Sequence, residues 1–139
     1  MPTVQVVFDC ENPHTLAAFW AEAVGLEVED HHDRIVQLIE EGVAPESETI
    51  TLDGRKAWRG AAACRDPEGR LPRLLFQVVP EPKTVKNRVH LDIHVGEDHI
   101  DSKVAELEAL GASRLWDGSQ GPYRWVTMAD AEGNEFCVS

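Results

Sequence analysis

Hydrophobic and polar residues alternate at the start of the chain. Val4, Val6 and Phe8 are apolar, whereas Gln5 and Asp9 occupy positions of the opposite parity. An alternation with a period of two predicts a β-strand that has one apolar face and one mixed face. Because successive side chains of a strand point to opposite sides, the mixed face must lie away from whatever covers the apolar face.

A helix pattern follows this strand. Asn12 and Pro13 are residues favoured where a helix begins, and Gly25 is favoured where one ends. The apolar stripe at helical spacing between them consists of Leu16, Phe19, Trp20, Ala23 and Val24. These residues predict an amphipathic helix that packs on the apolar face of the strand.

The second half of the chain repeats this order of elements. A second alternating run carries His90, Asp92 and His94 on its mixed face, and another helix pattern follows. An acidic turn and the strand after it also occur twice, at residues 64–79 and at residues 128–138. Three landmarks repeated in one order indicate a duplicated unit. The predicted fold is therefore α+β, with two tandem β-α-β-β-β modules that form a curved mixed sheet around one cavity.

The predicted organisation is a single domain over residues 1–139, a length that suits one hydrophobic core. Module one spans about residues 3–80 and module two about residues 88–139. Module one is the longer of the two because it carries an insertion at about residues 33–58.

The insertion combines two patterns. The apolar residues between 35 and 39 fit a short helix that ends near Gly42, although the same residues also fit a strand. The Asp53-Gly54 pair lies between two strand-like runs and suits the tight turn of a hairpin. The insertion is thus predicted to be a helix followed by a hairpin.

Charge and composition exclude several classes of function. Asp and Glu number 25 against 13 Lys and Arg, and the net charge of −12 repels polyphosphates, so no nucleic-acid partner is expected. No apolar run is long enough to cross a bilayer and the N-terminus lacks a signal-peptide pattern, so no membrane partner is expected. Three cysteines, of which Cys10 and Cys64 are expected in the core, favour a reducing compartment and predict a cytoplasmic protein.

The densest basic stretch lies between the two modules. It contains Lys83, Lys86 and Arg88. Charged runs of this kind form solvated connectors, and they also form cationic rims that attract an anionic small molecule to a cavity. Both interpretations stay open at this point.

Several segments resemble proteins of one superfamily. They are Leu74-Leu-Phe-Gln77, Lys86-Asn-Arg-Val-His-Leu-Asp92 and Trp125-Val-Thr-Met-Ala-Asp130. Together with the duplicated module they resemble the vicinal oxygen chelate superfamily, which includes glyoxalase I, extradiol dioxygenases and bleomycin-resistance proteins, and within it a glyoxalase-like subgroup common in actinobacteria. The resemblance covers essentially the whole chain and implies the fold given above. It leaves the function open, because the superfamily contains both metal-dependent enzymes and metal-free binding proteins.

The resemblance also implies a set of candidate metal ligands. Metalloenzymes of the superfamily hold a divalent ion with residues from the first and last strands of each module, in the pattern His or Gln, Glu, His, Glu. The corresponding positions here are Gln5, Gln77, His90 and Cys137, so both carboxylates are missing. Because a neutral Gln is a poor ligand for a hard divalent ion, no metal cofactor is expected. His90 with a deprotonated Cys137 could still hold zinc.

These positions also have structural interpretations. Gln5 and Gln77 would hydrogen-bond to one another across the sheet, and Cys137 would be a small buried filler. Glu135 shares the strand parity of Cys137, but it falls at a turn and is expected to be solvated.

Ionisable side chains share the mixed strand faces. Asp9, Asp92 and His94 have the same parity as Gln5 and His90. A His beside a carboxylate can serve as acid or base near neutral pH, which makes His90 and Asp92 the candidate catalytic pair. The same side chains would equally form a structural polar network at one end of the sheet.

Four of the nine aromatic residues are Trp58, Trp116, Tyr123 and Trp125, and none of these four lies in a helix stripe. They would fill core and dimer contacts, or they would stack on a flat ligand. In the second case Trp58 or Trp125 would grip a planar or conjugated molecule bearing a carbonyl or acidic group, which His90 and Asp92 would orient.

The sequence favours a glyoxalase-like protein that binds a small molecule without the family's metal and serves in resistance or sequestration. The alternative is an enzyme, a lyase, isomerase or hydrolase acting on a small carbonyl or aromatic metabolite, with His90 as acid, base or metal ligand. A homodimer is expected because a cupped sheet leaves edges and an open face that a second chain commonly covers. The expected ligand-binding residues are Gln5, Asp9, Gln77, His90, Asp92, His94, Cys137, Trp58 and Trp125.

Overall fold

The computed structural model describes residues 1–139, and the chain divides into two compact units. They are module one, Met1–Pro80, and module two, Glu81–Ser139. Three α-helices and mixed sheets give the α+β fold that the strand and helix patterns predict. None of the helices has the length and apolar character needed to span a bilayer.

Module one contains a four-stranded sheet and the inserted elements. In chain order its elements are β1 (Gln5–Cys10), α1 (Pro13–Val24), β2 (Glu27–Val28), α2 (His32–Glu40), β3 (Thr49–Leu52), β4 (Arg55–Trp58), β5 (Ala61–Arg65) and β6 (Arg73–Val78). The sheet order is β1-β6-β5-β2, with β1 parallel to β6 and the remaining pairs antiparallel.

Module two repeats this topology. Its elements are β7 (Asp92–Ile93), α3 (Ile100–Ala109), β8 (Ser113–Gln120), β9 (Tyr123–Ala129) and β10 (Glu135–Val138). The sheet order is β7-β10-β9-β8, so in both modules the first strand lies beside the last, followed by the third and the second. The shared order confirms the duplication. The predicted strand at 88–95 is reduced to the two ladder residues of β7, and one further backbone bond precedes them, from the Cys137 N–H to the Leu91 carbonyl.

The apolar strand faces lie under the helices, as the period-two pattern predicts. In module one the Phe8 ring lies 5.3 Å from Trp20 of α1 and 5.0 Å from Phe76 of β6, measured between ring centroids. In module two α3 buries Val104 and Leu107, and the inward residues of β9 and β10 are equally buried. These are Val126, Met128, Phe136 and Val138.

The insertion is a helix followed by a hairpin. The apolar run at 35–39 lies within α2 and not in a strand, and Ile35 is fully buried there. Strands β3 and β4 pair antiparallel around Asp53 and Gly54, whose φ angles are 50° and 78°. Positive φ at both central residues is the geometry of the tight hairpin turn that an Asp-Gly pair favours.

The repeated acidic turn has the same hydrogen bonds in both modules. Asp66 and Asp130 are buried, and each accepts the backbone N–H of the residue two positions later and of the residue four positions later, at 2.9–3.0 Å. These bonds hold the pKa of Asp66 below its usual range, the N–H of Glu68 contributing most. In each module a short aspartate side chain thus accepts the backbone hydrogen bonds of the turn that leads into the last strand.

Candidate functional site

A cavity of about 820 Å³ lies on the mixed face of the module two sheet. Its wall includes His90, Asp92, His94, Trp116, Trp125 and Cys137. This volume lies within the range of small-molecule sites, which usually combine an apolar wall with a few convergent polar groups. The cavity is therefore the candidate functional site of the chain.

Strand parity determines which side chains reach this cavity. Along β9, Trp125 and Thr127 face the cavity, whereas Val126 and Met128 are buried on the opposite side. On β10 Glu135 and Cys137 likewise line the cavity, and the buried Phe136 also contributes to its wall. The mixed faces predicted from the sequence thus lie on the open side of the sheet.

Three chemically reactive side chains meet at the junction of β7 and β10. Nδ1 of His90 lies 3.1 Å from Oδ1 of Asp92. A His90 ring nitrogen, an Asp92 carboxylate oxygen and the Cys137 sulfur all lie within 4.8 Å of one another. Because an ionised carboxylate only accepts hydrogen bonds, the neutral tautomer that satisfies this contact has its proton on Nδ1, and the Nε2 atom of that tautomer has a free lone pair.

The aromatic wall depends on a glycine in β8. Gly118 pairs with Trp125 in the β8–β9 ladder, and a Cβ added to Gly118 would overlap the Trp125 indole. The indole therefore lies across the glycine backbone. A cross-strand aromatic ring of this kind covers a bare strand glycine and fixes its own orientation by doing so.

The two lysines of the basic stretch before β7 have different roles. Lys83 pairs with Glu135 at 3.1 Å, and Glu135 also accepts the backbone N–H of Asn87 at 3.0 Å. Burial raises the pKa of Glu135, but the Asn87 N–H and the Lys83 ammonium outweigh it and leave that pKa below its usual range. Lys86 lines the cavity instead.

The expectation that Glu135 is solvated is wrong, because its side chain is only 13% exposed. The side chain of Asn87 accepts the backbone N–H of Glu135 in return, so the two residues clasp the segment before β7 against β10. Together with the backbone bond from the Cys137 N–H to the Leu91 carbonyl, this clasp fixes the segment that carries His90.

Gln5 and Gln77 do not hydrogen-bond to one another. In the β1–β6 ladder Gln5 pairs with Arg73 and Gln77 pairs with Asp9, so the two glutamines are four residues apart, about 13 Å along the sheet. The Gln77 amide donates to Asp9 at 2.9 Å, and Gln5 accepts from Arg73 at 2.8 Å. Held in this way, the two amide oxygens cannot share one ion.

Arg73 anchors the Gln5 end of module one. Its guanidinium makes two bonds to Glu29, at 2.6 and 2.9 Å, in addition to its bond to Gln5. The bond from Arg73 holds the pKa of Glu29 below its usual range. Asp9, at the other end, is paired with Gln77. The polar face of module one is thus engaged in bonds within that module.

Trp58 lies in module one and lines a smaller depression of about 200 Å³ beside the inserted hairpin. Its backbone carbonyl lies 2.7 Å from Nε2 of His14. Cys10 and Cys64 are buried in the core of module one, as expected. His94 lines the cavity of module two, where its Nδ1 lies 2.8 Å from the Ser139 hydroxyl.

The profile of the glyoxalase-like domain family matches residues 5–139. The chain belongs to this family. It is thereby a member of the vicinal oxygen chelate superfamily, as the repeat and the segment around His90 indicate. No curated protein matches the glyoxalase-like chain.

Solved structures share the fold at low sequence identity. The fosfomycin resistance protein FosX from Mesorhizobium loti has a TM-score of 0.61 at 10% identity, over 99% of this chain and 89% of that one. FosX from Listeria monocytogenes has a TM-score of 0.63 at 10% identity, over 99% and 91%. A glyoxalase/bleomycin resistance protein/dioxygenase family enzyme from Burkholderia phytofirmans PsJN has a TM-score of 0.61 at 15% identity, over 96% and 94%.

A hard divalent metal does not fit the side chains of this glyoxalase-like chain. Listeria FosX forms a complex with Mn(II), an ion that prefers carboxylate, carbonyl and water oxygens. The last strand of module two offers a sulfur instead, that of Cys137. Zinc accepts nitrogen and sulfur, but Oδ1 of Asp92 is bonded to Nδ1 of His90, which gives this carboxylate the role of orienting a zinc-bound histidine and not the role of a ligand. Two protein ligands then remain in this cluster, fewer than the three that catalytic zinc sites keep.

Sequence analysis missed two features of the site. Gly118 could have been found from the hairpin turn, because a two-residue turn at 121–122 sets the register that pairs Gly118 with Trp125. The clasp between Asn87 and Glu135 has no comparable signal, since its partners lie 48 residues apart in the chain.

Proposed function

We propose that this glyoxalase-like protein binds a planar or conjugated small molecule in the module two cavity, without the family's metal. The observation that carries the proposal is the pairing of an aromatic wall with a short row of polar groups on one cavity surface. The proposed ligand bears a carbonyl or acidic group. It is gripped by Trp125 and oriented by His90 and Asp92.

The aromatic wall supports a flat ligand. Trp116, Tyr123 and Trp125 line the cavity, and Trp116 and Tyr123 are 48% and 73% exposed. Indole and phenol rings provide a large apolar contact at small entropic cost. Since Gly118 orients the Trp125 indole before any ligand arrives, little conformational freedom is left for binding to remove.

One cationic side chain at the cavity supports an acidic group on the ligand. Arg124 lines the cavity, but its guanidinium is paired with Glu97 at 3.0 Å and with Asp101 at 3.2 Å. Lys83 is paired with Glu135. Lys86 lines the cavity and its ammonium has only a long 3.5 Å contact to the Asn87 carbonyl, so it can attract an anion despite the net charge of −12.

The proposed biological role is sequestration of, or resistance to, a small molecule inside the cytoplasm. Several structural neighbours are fosfomycin resistance proteins, and one is described as a glyoxalase/bleomycin resistance protein/dioxygenase family enzyme. The proposal includes a homodimer, because the module sheets end in β1, β2, β7 and β8, whose edges invite pairing.

The His90–Asp92 contact favours a second candidate function, an enzyme of the lyase, isomerase or hydrolase type. A histidine whose Nδ1 is held by a carboxylate has its other nitrogen free to take a proton from a substrate. In that case the same cavity would bind the substrate, a small carbonyl or aromatic metabolite, and His90 would be the acid or base.

Titration calorimetry with a panel of planar conjugated carboxylic acids, beginning with trans-cinnamate, tests the proposed binding. We expect at least one acid to bind, and Trp125→Phe to weaken it by roughly threefold to tenfold, the size of an aromatic stacking contribution. Trp58→Phe is the matched control and should leave the affinity unchanged, because Trp58 lines a separate depression of module one.

The proposal is wrong if no acid of the panel binds. It is also wrong if a bound acid tolerates Trp125→Phe as well as it tolerates Trp58→Phe. Turnover of a bound carbonyl compound that disappears in His90→Ala would favour the enzyme instead of the binding protein.

A further inference from the structure

Cys137 differs from the other two cysteines of the chain. Cys10 and Cys64 are only 4% and 0% exposed in the core of module one, and burial raises the pKa of the Cys64 thiol to about 11. Cys137 is partly exposed and lines the module two cavity. Its sulfur lies 3.5 Å from the Thr127 hydroxyl. A buried filler has no need of a polar neighbour or of access to a cavity.

The groups around Cys137 have the arrangement of an activated nucleophile. A base belongs within reach of the thiol, and a third group should orient the base through its other nitrogen. His90 meets the first requirement, because its ring lies within 4.8 Å of the Cys137 sulfur. Asp92 meets the second, at 3.1 Å from Nδ1 of His90. Separations somewhat longer than a hydrogen bond are common before a substrate is bound.

We propose that Cys137 captures electrophilic conjugated carbonyl compounds covalently, with His90 as its base and Asp92 as the residue that positions His90. This inference rests on the proposed function, since the aromatic wall would hold the conjugated system against the sulfur. The ligand class is thereby narrowed to molecules in which a carbonyl is conjugated with a carbon–carbon double bond.

The proposed step is an addition and needs no further reactant. Nε2 of His90 takes the thiol proton, and the sulfur forms a bond to the carbon at the far end of the double bond. The π electrons of that bond move toward the carbonyl group. The proton then passes from His90 to the carbon next to the carbonyl, so a thioether has formed and one carbon–carbon double bond has become single. No group leaves, and nothing is oxidised or reduced.

N-ethylmaleimide, a small conjugated carbonyl compound, is a direct probe of this step. Intact-mass spectrometry would follow its addition to the folded protein, and peptide mapping would locate the adduct. We expect one adduct, at Cys137, formed at least tenfold faster than the adduct of free N-acetylcysteine in the same buffer. General-base assistance is commonly worth a factor of about 100 or more, so tenfold is a modest threshold.

Variants separate the roles of the three residues. His90→Gln should slow the addition by about tenfold or more, and Asp92→Asn by a smaller factor, roughly threefold. His99→Gln is the matched control, because His99 is an exposed histidine of the same module that does not line the cavity. If His90→Gln failed to fold, the buried cysteines would also react, and Asp92→Asn would then carry the test of positioning.

Cys137 reacting no faster than N-acetylcysteine would overturn the proposal. A reaction rate as high in His90→Gln and in Asp92→Asn as in His99→Gln would overturn it too. Cys137→Ser distinguishes this inference from the proposed function, because it should abolish the adduct while a planar acid still binds. If the parent protein formed no adduct but still bound a planar acid, the binding function would stand and only the covalent step would be wrong.

Discussion

Replacing Gly118 with alanine is expected to weaken the binding of a planar acid by about tenfold, although Gly118 is not part of the cavity wall. A Cβ at this position would occupy the space of the Trp125 indole, which must then leave its place across β8. The ring that stacks on the ligand would lose its orientation. A tenfold change corresponds to about 1.4 kcal/mol, within the range of a displaced aromatic contact.

A double-mutant cycle checks this explanation by titration calorimetry. In a Trp125→Ala background Gly118→Ala should have no further effect on the affinity, because the ring that it displaces is already gone. Ser119→Ala is the matched control, since Ser119 pairs with Arg124 in the same ladder. Equal losses from Gly118→Ala in both backgrounds would mean that the glycine acts through the backbone of β8 and not through Trp125.

Asp130→Ala is expected to lower the free energy of unfolding by roughly 2–4 kcal/mol. The buried carboxylate accepts the backbone N–H groups of Glu132 and Asn134, and it also binds the side-chain amide of Asn134 at 2.9 Å. Alanine would leave these buried donors without a partner, and each such donor costs about 1–3 kcal/mol. Urea denaturation followed by circular dichroism measures the difference.

Two further variants bracket this effect. Asp130→Asn keeps one acceptor oxygen, so its free energy of unfolding should lie between that of the parent and that of Asp130→Ala. Asp117→Ala removes an exposed carboxylate of the same module, which is paired only with Arg114, and should change stability by less than about 0.5 kcal/mol. If Asp130→Ala proved as mild as Asp117→Ala, the acidic turn would not be a structural element of the repeat.

The topology could be predicted from the sequence because it depends on patterns that the chain contains twice. Alternation around Phe8 and around Leu91 fixes which strand face is covered, and Gly25 ends the helix as expected, with a φ angle of 72°. The Asp-Gly hairpin and the acidic turns are equally local, since each is satisfied within a few residues. Such features need no knowledge of distant partners.

The cavity could be predicted only in part. Parity correctly placed His90, Asp92 and Cys137 on one face of the module two sheet. It could not give the register of β1 against β6, and that register holds Gln5 and Gln77 apart. A period of two identifies the face of a strand, whereas position along the strand is set by pairing with a partner far away in sequence.

Metal content measured together with ligand binding tests the central claim, that this glyoxalase-like cavity binds its ligand without the family's metal. Protein purified without chelator would be analysed for nickel, zinc, manganese and iron, and the affinity for the best acid of the panel would be measured before and after treatment with EDTA. We predict well under one equivalent of any metal and an affinity that EDTA does not change. One equivalent of tightly held metal that is lost in His90→Ala, together with binding that requires it, would contradict the account.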